Sequence, residues 1–422
     1  MDGTGSAGGS HVAGGERARL RGGPLVASAG SGHGEAGNLV ARSTLVNYAP
    51  ATIATRPRHV SARFDLVLLA STMVLAVGGV IIIYSATRGN LSLARLDPHY
   101  YLKRQAVFVV LGVVVMAAVA LFDYRRLEQI STVLYVAILV GLLGVLALGS
   151  SSQGSQRWFS VGGQQLQPSE FATVVLIIAI ATYCSRRPDG LDFRDMVRVV
   201  LLAAVPILLV IKQPDLGTGI VMMVILMVML AAAGIPGRYL VLLIVGAVLL
   251  VILAINVGLV KHYQIDRLTS FISPNGASQN AIYNVTQAKE AIAVGGVFGQ
   301  GLFHGALTNL AYVPEQKTDF IFSAVGEQLG FVGAGVLLMV YGVVAWRVLR
   351  TAQLARDNFG RLLCSGVFAL LVFSIFENVG MNMGIMPVAG IPLPFLSYGG
   401  SSVVVFFAAI GLTLSVNARS VR

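Results

Sequence analysis

The chain has 422 residues, of which 55% are hydrophobic and 12% charged, with a formal net charge of +11. Soluble domains carry about 25% charged residues. A chain this apolar cannot cover itself with polar surface, so lipid must solvate much of it. The positive balance does not indicate nucleic acid, because the basic residues are scattered between apolar stretches and form no single polar module.

Residues 1–60 are rich in Gly, Ala and Ser, with Arg17, Arg19, Arg21, Arg42, Arg56 and Arg58 dispersed among them. They lack the apolar side chains that offset ordering entropy. The expectation is a disordered cytoplasmic tail over 1–60, followed by a polytopic membrane domain over 61–422. The first long apolar run begins near Phe64, too far in for signal-peptide anatomy.

A bilayer core about 30 Å thick needs about 20 helical residues. Runs of that kind fall at 64–86, 105–122, 131–149, 168–185, 197–212, 216–235, 238–260, 318–348, 362–385 and 397–416. The composition and these runs predict an all-α polytopic membrane protein with about ten transmembrane helices. Pro206 lies inside the shortest run and is expected to kink it.

The basic loop residues set the orientation. Arg125, Arg126, Arg186, Arg187, Arg194, Arg238, Arg347, Arg350, Arg356, Arg361, Arg419 and Arg422 fall on one side. The positive-inside rule makes that side, with both termini, cytoplasmic. Arg88, Arg95, Lys103 and Arg104 in the first outer loop are an exception. Residues 261–317 form an outer loop too long for a simple turn, the kind that is usually functional or disordered. Within it, 285–303 shows no clean helical period. Ala288, Ala291, Ile292, Val294 and Val297 still give a weakly amphipathic stretch, expected to lie along the membrane surface. Cys184 and Cys364 sit in or near apolar runs and read as small core residues.

Polar residues are expensive in lipid, and here most sit at the outer helix ends. Arg157 and Trp158 precede the fourth run, which opens on Gln167, Pro168, Ser169 and Glu170. Gln213, Pro214, Asp215, Gly217 and Thr218 open the sixth. Pro314, Glu315, Lys317, Thr318 and Asp319 open the eighth, and the stretch from Pro392 to Ser402 opens the tenth. Singly, each is ordinary helix punctuation. Together, several helix N-termini converging on one outer pocket would suit a diphosphate or a sugar-rich head group. Glu327 and Glu377 lie deeper, and the sequence leaves open whether they order packing or act chemically. The histidines lack metal-ligand spacing. There is no dinucleotide fingerprint, P-loop or serine nucleophile elbow.

Five stretches carry a resemblance: Arg157-Trp158, Gln167-Pro168-Ser169-Glu170, Gln213 to Thr218, Pro314 to Phe320, and Gly390 to Ser402. In this order they resemble the signatures of the shape, elongation, division and sporulation family, typified by RodA and FtsW. The wording of Pro314 to Asp319, and Met381, Gly384 and Pro387, lean towards RodA. The resemblance implies a ten-helix peptidoglycan glycosyltransferase that polymerises lipid II outside the cytoplasmic membrane, for cell elongation and rod shape. It implies a class B penicillin-binding protein and the elongation machinery as partners. It also implies a divalent cation, Mg or Mn, to aid the diphosphate leaving group, although no metal motif is present.

The resemblance also exposes departures. The family's essential loop Asp falls on Ala277, an earlier Asp on Ser273, and a Lys near the Ser-Glu pair is replaced near Thr173. Two other readings therefore stand beside polymerisation: a non-catalytic partner of a penicillin-binding protein, and a lipid II transporter. The expected head-group residues are Arg157, Trp158, Glu170, Gln213, Asp215, Arg267, Gln287, Lys289, Glu315, Thr318, Ser397 and Tyr398. An active polymerase also needs a base. Glu170 and Asp319 each start a predicted helix, where the dipole favours a charge holder. Glu290, thirteen residues beyond Ala277 in the same loop, is the first candidate for a displaced base, with Asp319 beside it in the catalytic set.

Overall fold

The computed structural model describes residues 64–93, 97–152, 155–161, 164–187, 191–256, 279–310 and 312–420. The first helices are α1 (Leu66–Leu93), α2 (Tyr100–Leu121) and α3 (Arg125–Leu148). A small sheet follows, with β1 (Ser150–Ser152), β2 (Ser155–Val161) and β3 (Gln164–Leu166). Then come α4 (Pro168–Ser185), α5 (Phe193–Lys212), α6 (Leu216–Ala232) and α7 (Gly237–Asn256). The chain continues through α8 (Gln279–Gly295), the short α9 (Ala306–Asn309), α10 (Ile321–Leu354), α11 (Asn358–Asn382) and α12 (Gly400–Ser420).

Each of the ten predicted runs is a helix, and the architecture is an all-α polytopic membrane fold. Among the described residues, α1, α2, α3, α4, α10, α11 and α12 are both long and apolar enough to cross a bilayer. Helix α6 has only 17 residues. Helix α5 carries Arg194, Asp195, Arg198 and Lys212 near its ends, and it runs on through Pro206. The tail over 1–60 lies outside the described residues.

Helix starts follow local chemistry. Asp65 accepts the Leu68 N–H at 3.0 Å and also binds Arg347 Nε of α10 at 2.6 Å, fixing α1 against α10. Asp215 and Asp357 cap α6 and α11 through Thr218 N–H and Gly360 N–H. Pro168 occupies the first turn of α4, where no N–H is needed. Helices α4, α11 and α12 are the inner ones, and α2, α3 and α10 turn much of their apolar surface outward. Without a hydrophobic drive between helices in lipid, close packing at small residues holds the bundle. Gly366 lets α11 approach Ile177 of α4 and Met229 of α6, and Gly411 lets α12 approach the Met116 carbonyl of α2.

Two elements differ from the sequence expectation. Strands β1, β2 and β3 pair antiparallel in that order, with Ser150 opposite Trp158 and Phe159 opposite Leu166. The run of Ser and Gln there has no apolar alternation to announce strands. The long loop contains α8, which packs against the bundle and does not simply lie alone on a membrane surface. Its Ala288 and Ala291 are fully buried with Val313 and Phe320, while Val294 and Val297 stay exposed.

Helix α10 is broken at Gly330 (φ 66°, ψ −166°). The segment after α8 splints the break. Gln300 and Gly301 N–H donate to the Glu327 and Gln328 carbonyls at 3.0 Å. Phe331 and Val332 N–H donate to Gly296 and Val297 carbonyls at 2.9 and 3.0 Å.

Candidate functional site

At one end of the bundle the N-termini of α2, α4, α6 and α12 meet the small sheet and the segment before α10. They enclose a cavity of about 780 Å³. One wall is built on Asp215. Its Oδ2 accepts from Ser169 Oγ and from Gln167 Nε2, both at 2.8 Å, and its Oδ1 accepts from Thr218 N–H at 3.3 Å. Arg157 of β2 approaches the same carboxylate at 3.8 Å and donates Nε to the Gln213 carbonyl at 3.1 Å. It also donates to the Pro214 carbonyl. Trp158 donates Nε1 to Gln167 Oε1 at 3.1 Å, and Gln167 N–H donates to Ser401 Oγ at 3.0 Å, tying the sheet to α4 and α12.

The facing wall is aromatic and cationic. Arg104 of α2 lies over the Tyr100 ring at 4.5 Å and faces the Tyr398 hydroxyl. Burial pushes that hydroxyl above its ordinary pKa, against the pull of Arg104. Lys317 sits 5.4 Å above the Tyr101 ring and 3.6 Å from the Glu315 carboxylate. Tyr101 and Tyr398 meet edge to face, with centroids 5.0 Å apart. Ser397 binds the neighbouring motifs together: it donates Oγ to the Thr318 carbonyl at 2.6 Å and accepts Leu393 N–H at 2.8 Å.

Of the residues expected from sequence, Arg157, Trp158, Glu170, Asp215, Glu315, Thr318, Asp319 and Tyr398 line this cavity. Gln213 is fully buried and donates its side chain to the Leu142 carbonyl at 2.9 Å, so it serves Arg157 only through its backbone. Ser397 is likewise buried. Gln287, Lys289 and Glu290 sit on α8, outside the cavity lining. Gln287 donates to Glu290 Oε2 at 2.8 Å, and Lys289 runs past Gly384. Glu290 is therefore an exposed residue in mid-helix, not a loop carboxylate at the site. It lies clear of the helix start, in the body of the helix over 279–295. Arg267, Ser273 and Ala277 lie outside the described residues.

Arg104, Lys317, Gln165 and Gln167 also line the cavity and are outside the expected head-group set, although Lys317 and Gln167 belong to the helix-opening motifs. Arg104 had left a signal: it broke the positive-inside pattern right at a helix start. The two deeper carboxylates hold structure. Glu327 accepts Leu307 and Thr308 N–H at 2.8 and 2.9 Å, besides the Thr308 hydroxyl, and Glu377 accepts Ala389 N–H at 3.2 Å. Among the described residues, no three His, Cys, Asp or Glu side chains converge on one point. Glu315 and Asp319 share the wall that carries Lys317 and Thr318. One or two carboxylates with substrate phosphate oxygens are the usual holding set for Mg²⁺; here Glu315 already pairs with Lys317 at 3.6 Å.

The fold and cavity define a polytopic membrane protein that presents cations and aromatic rings to a polar ligand at one membrane face. The family model described as cell cycle protein, for FtsW, RodA and SpoVE, matches residues 65–421, and the chain belongs to this family. It is 34% identical over 366 residues to a probable peptidoglycan glycosyltransferase FtsW of Geobacter metallireducens, covering 85% of this chain and 95% of that one. It is 33% identical over 364 residues to the peptidoglycan glycosyltransferase MrdB of Escherichia coli K12, covering 86% and 94%. These nearly equal values do not separate the two branches.

Among solved structures, a chain of a peptidoglycan synthase complex that coordinates polymerisation and crosslinking superposes with a TM-score of 0.72. It is 30% identical and is covered over 99% of its length, against 85% of this chain. The rod shape-determining protein RodA of Thermus thermophilus gives 0.64 at 28% identity, covering 85% of this chain and 98% of that one.

Proposed function

We propose that this chain is a peptidoglycan glycosyltransferase that polymerises lipid II into glycan strands for cell elongation and rod shape. The observation that carries the reading is the convergence of Arg104, Arg157 and Lys317 on one cavity from three elements distant in sequence. Such a group suits the charge that builds on a departing diphosphate. Tyr101, Trp158 and Tyr398 offer ring faces to sugars beside it. Glu315 and Asp319 would hold a divalent cation, Mg²⁺ or Mn²⁺, which would supply further positive charge to the diphosphate.

The same reading sets the protein in the bacterial cytoplasmic membrane, with both termini cytoplasmic and the cavity outside, in keeping with the arginine bias. It gives the chain a class B penicillin-binding protein of the elongation machinery as partner and membrane lipids as solvent. Ala277 in the position of the family's loop carboxylate favours a second reading, a non-catalytic partner of that penicillin-binding protein.

The test uses the purified chain with that partner, its transpeptidase blocked by a β-lactam, and labelled lipid II. Ladders of glycan chains with no other polymerase present are the expected result. Binding of lipid II without chain growth would sink the polymerase reading and favour the second.

A further inference from the structure

Four carboxylates line the cavity, and they differ in how much of their acceptor capacity is spent. Both oxygens of Asp215 accept hydrogen bonds. Glu315 is held by Lys317 and the Thr318 hydroxyl, and Asp319 has partners too. Glu170 differs. By position it is a charge holder at a helix start, but it reaches the cavity from the first turn of α4, half-buried, with its Oε2 buried and without a partner, which leaves it free to take a proton. Among the described residues, nothing donates to either of its carboxylate oxygens. Thr173, one turn further on, donates its hydroxyl back to the Glu170 carbonyl at 2.6 Å and leaves the carboxylate alone. Buried acceptors are nearly always paired, and one left unpaired on a cavity wall calls for an explanation.

From this geometry we infer that Glu170 is the general base of the chain-growth step, accepting the proton of the attacking sugar hydroxyl. The inference rests on the polymerase reading. The hydroxyl O–H bond breaks and its proton passes to the Glu170 carboxylate. The oxygen forms the new bond to the anomeric carbon. The bond from that carbon to the diphosphate oxygen breaks, and its electron pair leaves on the lipid diphosphate, which Arg104, Arg157 and Lys317 face. The proton then passes to water as product leaves. Asp215, already saturated by donors, is a positioning group: it holds Ser169, Gln167 and Arg157 around the base.

Two variants test the assignment in the polymerase assay with lipid II and the partner. Glu170→Gln keeps size and shape and should slow chain growth by about 10²–10⁴-fold, with lipid II binding retained. Glu170→Ala should recover turnover on addition of formate, a small carboxylate that a packing role would not need.

Growth at the parent rate by Glu170→Gln overturns the assignment and leaves the polymerase reading intact. Loss of binding in step with rate, or a substrate-binding Glu170→Ala that formate does not rescue, overturns it too. An inactive parent overturns the polymerase reading, and the base with it.

Discussion

The Arg157 guanidinium lies 3.8 Å from the Asp215 carboxylate, joining the small sheet to the cap of α6 at the cavity wall. Both side chains are largely buried, at 18% and 5% exposure, so water screens the pair little. The bonds to Gln213 and Pro214 carbonyls fix the plane of the fork and leave other N–H directions for the cavity. Arg157→Ala should weaken lipid II binding by about 1.5–3 kcal/mol, the usual worth of a hydrogen bond to a charged group. Arg157→Lys should not restore it, because an ammonium cannot keep the fork's geometry. Titration of the detergent-solubilised protein with labelled lipid II checks both. Unchanged affinity in Arg157→Ala would remove this residue from the site.

The Asp65–Arg347 pair clamps the start of α1 to α10 with a 2.6 Å contact, at 1% and 19% exposure. Removing one partner strands the other charge. Arg347→Ala should therefore cost about 3–5 kcal/mol, and the double variant with Asp65→Ala less than the sum of the two singles. A double-mutant cycle by thermal unfolding in detergent measures this, and strict additivity would count against the coupling.

The ten helices were legible because an apolar run of bilayer length has few other uses, and Asp215 marked a start by residue type; the caps at Asp65 and Asp357 emerge only from the structure. The cavity was half legible. Motifs that open helices named Arg157, Glu170, Asp215, Asp319 and Tyr398, since each lies where free N–H groups gather. Lys317 stood in a helix-opening motif, but its place beside Arg104 did not show, because that depends on Tyr100, Tyr101 and Tyr398 standing opposite, a juxtaposition with no local spacing to betray it. Gln213 and Ser397 differ the other way. Their motifs meet at the site, but their side chains point into the protein, to the Leu142 and Thr318 carbonyls. Glu290 lies outside the cavity lining on a helix that a weak amphipathic pattern concealed, one that packs on small residues, Ala288 and Ala291.

At the opposite end of the bundle, Asp357 gathers three donors: Tyr124 Oη at 2.7 Å, Gly360 N–H at 2.7 Å and Arg125 Nε at 3.1 Å. Burial alone would raise the carboxyl, but these bonds outweigh it and hold the pKa below the ordinary 3.8. Burial, then the bond to Asp357, pushes the Tyr124 hydroxyl the other way, above its usual range. A depressed carboxyl stabilises the fold in full above its unfolded value and loses that share as pH falls through the folded one. The melting temperature should thus drop below about pH 4. Asp357→Asn should melt lower at neutral pH and lose part of that acid dependence. An acid limb identical in Asp357→Asn and the parent would show that the cluster contributes nothing to it.

The break in α10 rests on Gly330, whose φ of 66° is left-handed. A Cβ there would sit 2.3 Å from Gly299 N and 2.7 Å from the Val297 carbonyl oxygen, both backbone atoms that cannot swing away. Gly330→Ala should therefore cost more than the ~1–3 kcal/mol of ordinary overpacking, because backbone strain adds to the clash. Gly335 lies in the same helix with nothing within 4 Å of its Cβ, so Gly335→Ala should be neutral or stabilising by up to about 1 kcal/mol. The contrast bears on function as well as stability. The first piece of α10 follows Glu315 to Asp319, which line the cavity, and the splint from residues 296–301 holds that piece in line. Gly330→Ala should accordingly lower both the melting temperature and lipid II binding, while Gly335→Ala changes neither binding nor fold. Equal melting of the two variants would mean that the break is not held by the splint.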